Sequence, residues 1–265
     1  MVVQRHSLTP QTQGWRYLGV DVLRLAVGEE LVVERESRES AVVLVEGALH
    51  VRGAGFDEHL SRDSPFRSMG DVVYLPPGQR VVLRAEVASE VSVGTAPAAG
   101  LHPARLVRPS EMPSVLRGGG PAYRQVTSPL AHPMPAESLI VYEAYVPRGA
   151  WSGWPPHRHD GEEGSPYLEE TYYVRFDRQK GFGLHRNYTN DGSLDEHMLV
   201  RDGSLTPVPR GYHVCGAAPA ANMWVLNFLA GDPSDRPVAP CFDPAELWID
   251  EDWGRDLMVL PAVQP

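Results

Sequence analysis

Lysine is almost missing from this chain, and so is cysteine. Lys180 is the only lysine, and Cys215 and Cys241 are the only cysteines. Two cysteines cannot build a disulfide framework or a cysteine-based zinc site. One lysine in a polar turn, between Gln179 and Gly181, is a poor basis for Schiff-base chemistry. Arginine carries the remaining basic charge, no basic run is interleaved with aromatics, and the formal net charge is -10. Nucleic acid is therefore not an expected partner. No apolar run reaches the length of a membrane span, so no membrane partner is expected. Met1 to Pro10 lacks the apolar centre of a secretion signal, and a cytoplasmic protein is the expectation. Helix signals are sparse too. Asp243-Pro244-Ala245-Glu246-Leu247, an N-cap with a first-turn proline, is good for one or two turns.

Glycine and proline are plentiful instead, at 25 each, and they punctuate short apolar runs. With 42% hydrophobic residues a packed core can form, and the texture is that of an all-β sandwich or barrel. Strands are expected at Ala41 to Val45, ended by Glu46-Gly47, and at Asp71 to Leu75 and Arg80 to Arg84. Further strands are expected at Leu139 to Tyr145, Glu170 to Phe176, Gly183 to Tyr188, His197 to Arg201 and Met223 to Leu229. The chain also repeats itself. Gly70, Leu75, Pro76, Gly78 and Val81 match Gly203, Val208, Pro209, Gly211 and Val214 at a constant offset of 133 (203 − 70). Half a chain separates the two copies, which suggests two related β domains. The stretch from Pro109 to Pro121, with Gly118-Gly119-Gly120, reads as the linker. The expected division is therefore 1–118 and 119–265.

The chemistry lies in the second half. Residues two apart on a strand face one way, so His157 and His159 can reach one point. Two imidazoles on one face suit a divalent transition metal. Glu170 opens the next apolar strand, and His213 follows the turn Pro209-Arg210-Gly211. A pair, a carboxylate and a distant fourth ligand are what a metal site assembled from adjacent strands requires. A chance pair among ten histidines is the plain alternative.

These residues resemble the cupin superfamily. Gly153, His157, His159 and Glu170 match its first motif, and Gly203, Pro209, Gly211 and His213 match its second. Pro155 to Asp160, Leu168 to Tyr173, Gly181-Phe182-Gly183, Ser193 to Glu196, Val200 to Gly203 and Val208 to His213 resemble, as a set, the 5-deoxy-glucuronate isomerases of the IolB type. The sequence Ala150-Trp151-Ser152-Gly153-Trp154 departs from the Asn-Trp-Ser-Ser-Tyr usual there. The resemblance implies a bicupin of two antiparallel jelly-roll β-barrels. The N-terminal one would be degenerate and without metal, since Arg80 stands where the repeat would place His213. It also implies the metal ligands His157, His159, Glu170 and His213. Glu169 is the rival carboxylate, and Glu170 is preferred because it stands three residues before Tyr173. One divalent transition metal per chain is expected, zinc first, with manganese, iron or nickel as alternatives.

The activity implied is aldose–ketose isomerisation of a sugar acid in myo-inositol breakdown. Alternatives are the related uronate isomerisation of pectin breakdown, a cupin dioxygenase, or a non-enzymatic sugar-binding cupin. A dioxygenase pocket should be apolar, whereas Arg186, Asp195, Glu196, Arg201 and Arg210 crowd this stretch. Strand parity puts Tyr172 and Val174 inward with Glu170, and Tyr173 and Arg175 outward. Tyr172, Glu196 and His185 are the candidates for proton transfer. A core tyrosine, a solvated carboxylate and an exposed strand histidine are their plain alternatives. For the substrate carboxylate Arg186 comes first, ahead of Arg201 and Arg210. A homo-oligomer is left open.

Overall fold

Short β-branched runs between glycine and proline turns favour strands over helices. In the computed structural model, which describes residues 2–253, strands accordingly make up most of the regular structure. The first half holds β1 (Val3–Leu8), β2 (Gly19–Leu25), β3 (Glu30–Glu34), β4 (Arg38–Gly53), β5 (Phe56–Arg62), β6 (Val72–Leu75), β7 (Arg80–Ala85), β8 (Ser89–Pro97) and β9 (Arg105–Val107). The second holds β10 (Ser114–Arg117), β11 (Arg124–Thr127), β12 (Leu139–Val146), β13 (Trp151–Arg158), β14 (Leu168–Phe176) and β15 (Phe182–Tyr188). It continues with β16 (Asp195–Arg201), β17 (Leu205–Val208), β18 (Tyr212–Ala217), β19 (Met223–Gly231) and β20 (Cys241–Phe242). Helix is confined to short pieces. Asp243 does cap a turn, accepting from the Ala245 N–H, but that turn is a single 3-10 turn over Pro244–Glu246.

Alternation decides which face each strand buries. In β7, Val81, Leu83 and Ala85 point inward while Arg80 and Arg84 face out. One expected boundary moves. The strand expected to end at Glu46-Gly47 runs on to Gly53 as part of the 16-residue β4. Its first part pairs with β8 and β6, and its last part with β5 and β7. Gly47 makes the bend. Its φ is 115°, and a Cβ there would lie 2.7 Å from Ser89 Cα, so only glycine fits.

The repeat read in the sequence is a repeat of topology. The order β2-β8-β4-β6 in the first half recurs as β12-β19-β14-β17 in the second. The first half carries a second sheet, β3-β7-β4-β5, and the second half a facing sheet, β16-β15-β18-β13-β20. These sheets are open and do not close into barrels: β16 and β20 remain edges, as do β10 and β17. The stretch expected as a linker contains β10, which pairs with β11 inside the second half's sheet. Residues 254–265, the end of the expected second domain, lie outside the described residues.

The largest apolar cluster lies where the two halves meet. Val20, Ala41, Val43 and Tyr74 of the first half pack with Val141, Tyr173, Trp224 and Phe228 of the second. Buried carboxylates fasten the halves reciprocally. Glu39 accepts from the backbone N–H groups of Glu137, Ser138 and Leu139, at the start of β12. Glu169 accepts from those of Arg16, Tyr17 and Leu18, just before β2. The two glutamates occupy matching places in the two copies, at the starts of β4 and β14. Arg62 and Glu143 form a further ion pair, at 2.7 Å and almost fully buried.

Candidate metal centre

The His-x-His segment is shaped by an irregular β13. Its pairing with β18 breaks between Ser152 and His157, where Gly153 sits at φ 84°. A Cβ on Gly153 would lie 3.1 Å from the His213 carbonyl and 3.2 Å from Val214 Cα, so the strand needs glycine to stay this close. The register then sets His157 directly opposite His213. Arg158 and Asp160, which interleave and follow the histidines, hold the loops. Arg158 donates to Asp160 at 2.8 and 2.9 Å, and Asp160 Oδ2 accepts from the Gly211 N–H at 2.7 Å. That last bond ties the Pro-x-Gly turn before His213 to the histidine pair.

His157, His159 and His213 form a cluster whose ring nitrogens lie within 4.8 Å of one another. Glu170 Oε2 is 3.0 Å from both His159 Nε2 and His213 Nε2. Every outer atom of the set except those of His213 is occupied. His157 Nδ1 donates to the Gly153 carbonyl at 3.4 Å and His159 Nδ1 to the Leu168 carbonyl at 2.7 Å, which turns both Nε2 atoms inward. The Asn227 amide donates to Glu170 Oε1 at 2.8 Å, which leaves Oε2 for the centre. Outer partners of this kind orient metal ligands.

The residues fit a divalent ion. His213 is fully buried, and neither ring nitrogen has a hydrogen-bond partner; its 3.0 Å approach to Glu170 lies off the hydrogen-bonding direction. A buried imidazole without a partner is costly unless something else takes its lone pair. Two ligands bonded to one ion at about 2.1 Å and about 90° sit about 3 Å apart, which is the distance from Glu170 Oε2 to the His159 and His213 nitrogens. The charges agree. Burial opposes ionisation of Glu170, yet His213 and His159 outweigh it and hold the carboxyl well below its usual range. Burial, followed by repulsion from His213 and His159, pushes His157 down to about 3 and keeps it neutral. Burial also opposes charge on His159, but its bond to Glu170 wins and raises it. A metal ion would displace that shared proton.

A cavity of about 160 Å³ opens onto the cluster, between the two facing sheets of the second half. His157, His159, Glu170 and Tyr172 line it, with Ser152, Tyr142 and Asn227. Tyr172 is the one proton-transfer candidate in the wall. Burial first, then Glu170, raises its phenol well above the ordinary range, so it is protonated. His185 sits behind it, with ring centroids 4.7 Å apart. It is 1% exposed, against the exposed strand histidine that was its alternative, and burial pushes it down to about 4.

Other expectations are corrected. Glu196 is exposed on the edge strand β16 and does not line the cavity. Arg186 is spent on Asp195, at 2.7 and 3.0 Å, and lies over the Tyr188 ring. Arg201 is exposed, and Arg210 donates to Ser193 outside the cavity. All four belong to the outer side of the sheet or its turns, which sequence proximity alone could not reveal. They therefore say nothing of the pocket's polarity, and the wall carries Arg117, Arg124 and Arg236 instead. Arg117 and Arg124 escaped notice because β10 and β11 adjoin the glycine run taken for a linker. Glu169 and Glu170 do point opposite ways, but the outward face of β14 packs on the first half: Tyr173 and Arg175 are bonded to Glu90 there.

Fold and cluster together define a cupin-like protein with a candidate metal centre. Its likeness to a Bacillus subtilis oxalate decarboxylase mutant, at a TM-score of 0.65, 12% identity and 91% and 77% coverage of the two chains, supports that fold alone. The chain belongs to the KduI/IolB family, whose model matches residues 3–249. It is 38% identical to a 5-deoxy-glucuronate isomerase of Geobacillus kaustophilus over 84% of this chain and 83% of the relative. With that of Bacillus subtilis strain 168 the figures are 32% and 92% of each chain. The crystal structure of an IolB-like protein from Salmonella typhimurium LT2 superimposes with a TM-score of 0.88, at 38% identity over 93% of this chain and 95% of that one.

Proposed function

We propose that this chain is an aldose–ketose isomerase that converts 5-deoxy-D-glucuronate to 5-dehydro-2-deoxy-D-gluconate in inositol breakdown. The observation that carries this reading is the 38% identity to a 5-deoxy-glucuronate isomerase over most of both chains. The architecture read with it is a bicupin: a degenerate first unit, 1–118, that binds no metal, and a metal-binding second unit, 119–265. His157, His159, Glu170 and His213 would hold one divalent transition metal, with zinc the first choice for this donor set and manganese, iron or nickel the others. Bound there, such an ion supplies Lewis acidity to a carbonyl and its neighbouring hydroxyl.

The remaining work falls to the chain. Isomerisation moves a proton from the carbon beside the carbonyl to the carbonyl carbon, while the hydroxyl on that neighbouring carbon gives up its proton to become the new carbonyl and the old carbonyl oxygen takes one up to become a hydroxyl. Tyr172 is the group we assign to proton transfer at the substrate oxygens. Its phenol is a donor as it stands, and Asn227, whose amide bonds Glu170, stands opposite it on β19. His185, neutral and packed on the Tyr172 ring, positions that ring. Walls of Val126, Ile140 and Leu229 keep bulk water from the reacting carbons.

The test is turnover of 5-deoxy-glucuronate by purified protein in heavy water, read by NMR with an oxygen electrode alongside. Ketose product with deuterium at the carbon that gains hydrogen, and no oxygen uptake, is expected. Oxygen consumed in step with substrate, or no product from metal-loaded protein, would overturn the reading.

A further inference from the structure

Arg124 is 8% exposed, yet among the described residues it has no ion-pair partner. Its Nη1 donates to the Ala122 carbonyl at 3.0 Å, while its Nε is buried and bonds nothing. A buried guanidinium without an anion is a costly arrangement to keep. The strand pair makes it costlier, because Arg117 of β10 stands directly opposite Arg124 of β11 and both line the metal cavity. Like charges facing each other across an antiparallel pair repel. Arg236, the third arginine of the wall, is not free in this way: it donates to the carbonyls of Leu139, Leu130 and Met134.

We propose that Arg124, backed by Arg117, is the carboxylate-recognising residue of the cavity and makes it select sugar acids over neutral sugars. The inference rests on the isomerase reading for its substrate but on the unpaired guanidinium for its chemistry. A carboxylate is the anion whose two oxygens match the planar fork. It would supply the missing counter-charge and relieve the repulsion between the two arginines. The cavity would then hold the acid end of the sugar at the β10–β11 wall and the carbonyl end at the histidine cluster. In an acidic protein this positive pair in the cavity wall also draws the substrate anion inward.

The experiment compares metal-loaded wild type with R124Q, R124K and R117Q, with metal content and thermal unfolding checked for each. The substrates are 5-deoxy-glucuronate and its analogue bearing an alcohol in place of the carboxylate. Wild type should prefer the acid in kcat/KM by on the order of a hundredfold. In R124Q that preference should collapse to within about fivefold through loss on the acid alone, mostly in KM, while the alcohol is turned over as before. R124K keeps the charge without the fork and should fall between, and R117Q should lose only a few-fold because Arg117 is exposed. Wild-type preference retained in R124Q would overturn the proposal; if R124Q does not fold, the same result in R124K would. Calorimetric binding of D-glucuronate is measured in parallel. If wild type turns over neither sugar, the isomerase reading fails by itself, and binding decides this one: loss in R124Q supports it, retention overturns it.

Discussion

Glu169 and Glu170 are neighbours in sequence that should fail in different ways when each is changed to glutamine. Glu170 faces the histidine cluster, with Oε2 3.0 Å from two imidazole nitrogens. Glu169 faces the first half and accepts three consecutive backbone N–H groups at 2.6–2.8 Å, plus the Tyr167 hydroxyl at 3.1 Å. Glu170→Gln removes a ligand charge, and a ligand matters more than the tenfold to hundredfold that outer partners contribute to affinity. Metal binding should therefore weaken by more than about a hundredfold, which elemental analysis and a chelator titration would detect. Glu169→Gln should keep the metal. A neutral amide can still accept with its oxygen, but its NH₂ then confronts an N–H donor. Losing charge-assisted bonds at about 1.5–3 kcal/mol each, with part recovered by the amide oxygen, predicts a net loss of about 3 kcal/mol. For a chain of this size that lowers Tm by roughly 6–12 °C. Loss of metal from Glu169→Gln with retention in Glu170→Gln would refute the assignment and shift the register of β14 by one residue.

Three further outcomes are expected. Tyr172→Phe should retain metal but lose about 10²–10⁴ in kcat, and an unchanged kcat would remove the phenol from proton transfer. His185 has a folded pKa of about 4 against 6.5 unfolded, so between those values the unfolded state binds more protons and stability falls as pH drops. Denaturant unfolding of metal-free protein should thus show His185→Phe losing about 2–3 kcal/mol less than wild type between pH 7.5 and 4.5, and identical slopes would contradict the burial of this ring. Arg62→Met leaves the Glu143 carboxylate, 1% exposed, without its ion-pair partner between the halves. It should cost about 3–5 kcal/mol by calorimetry, and an unshifted Tm would mean the pair adds nothing to the docking of the halves.

The sequence alone determined what depends on short-range geometry. Alternation along an extended strand put His157 and His159 on one side and separated Glu169 from Glu170, because side chains two apart share a face whatever the rest of the chain does. The Pro209-Arg210-Gly211 turn marked the start of the strand carrying His213, and the spacing of the repeat anticipated the doubled order β2-β8-β4-β6 and β12-β19-β14-β17. Only the tertiary structure decided what lies across a gap. Parity told which face of β14 Tyr173 and Arg175 occupy, but not that the face would be buried against Glu90 of the other half. Nearness in sequence favoured Arg186, Arg201 and Arg210, which ended up outside the cavity, while Arg117 and Arg124 entered its wall from beside a glycine run. A strand's own residues fix its two faces; which face looks into a cavity, and what stands opposite, depends on how distant strands pair and how sheets stack, and no local pattern carries that information.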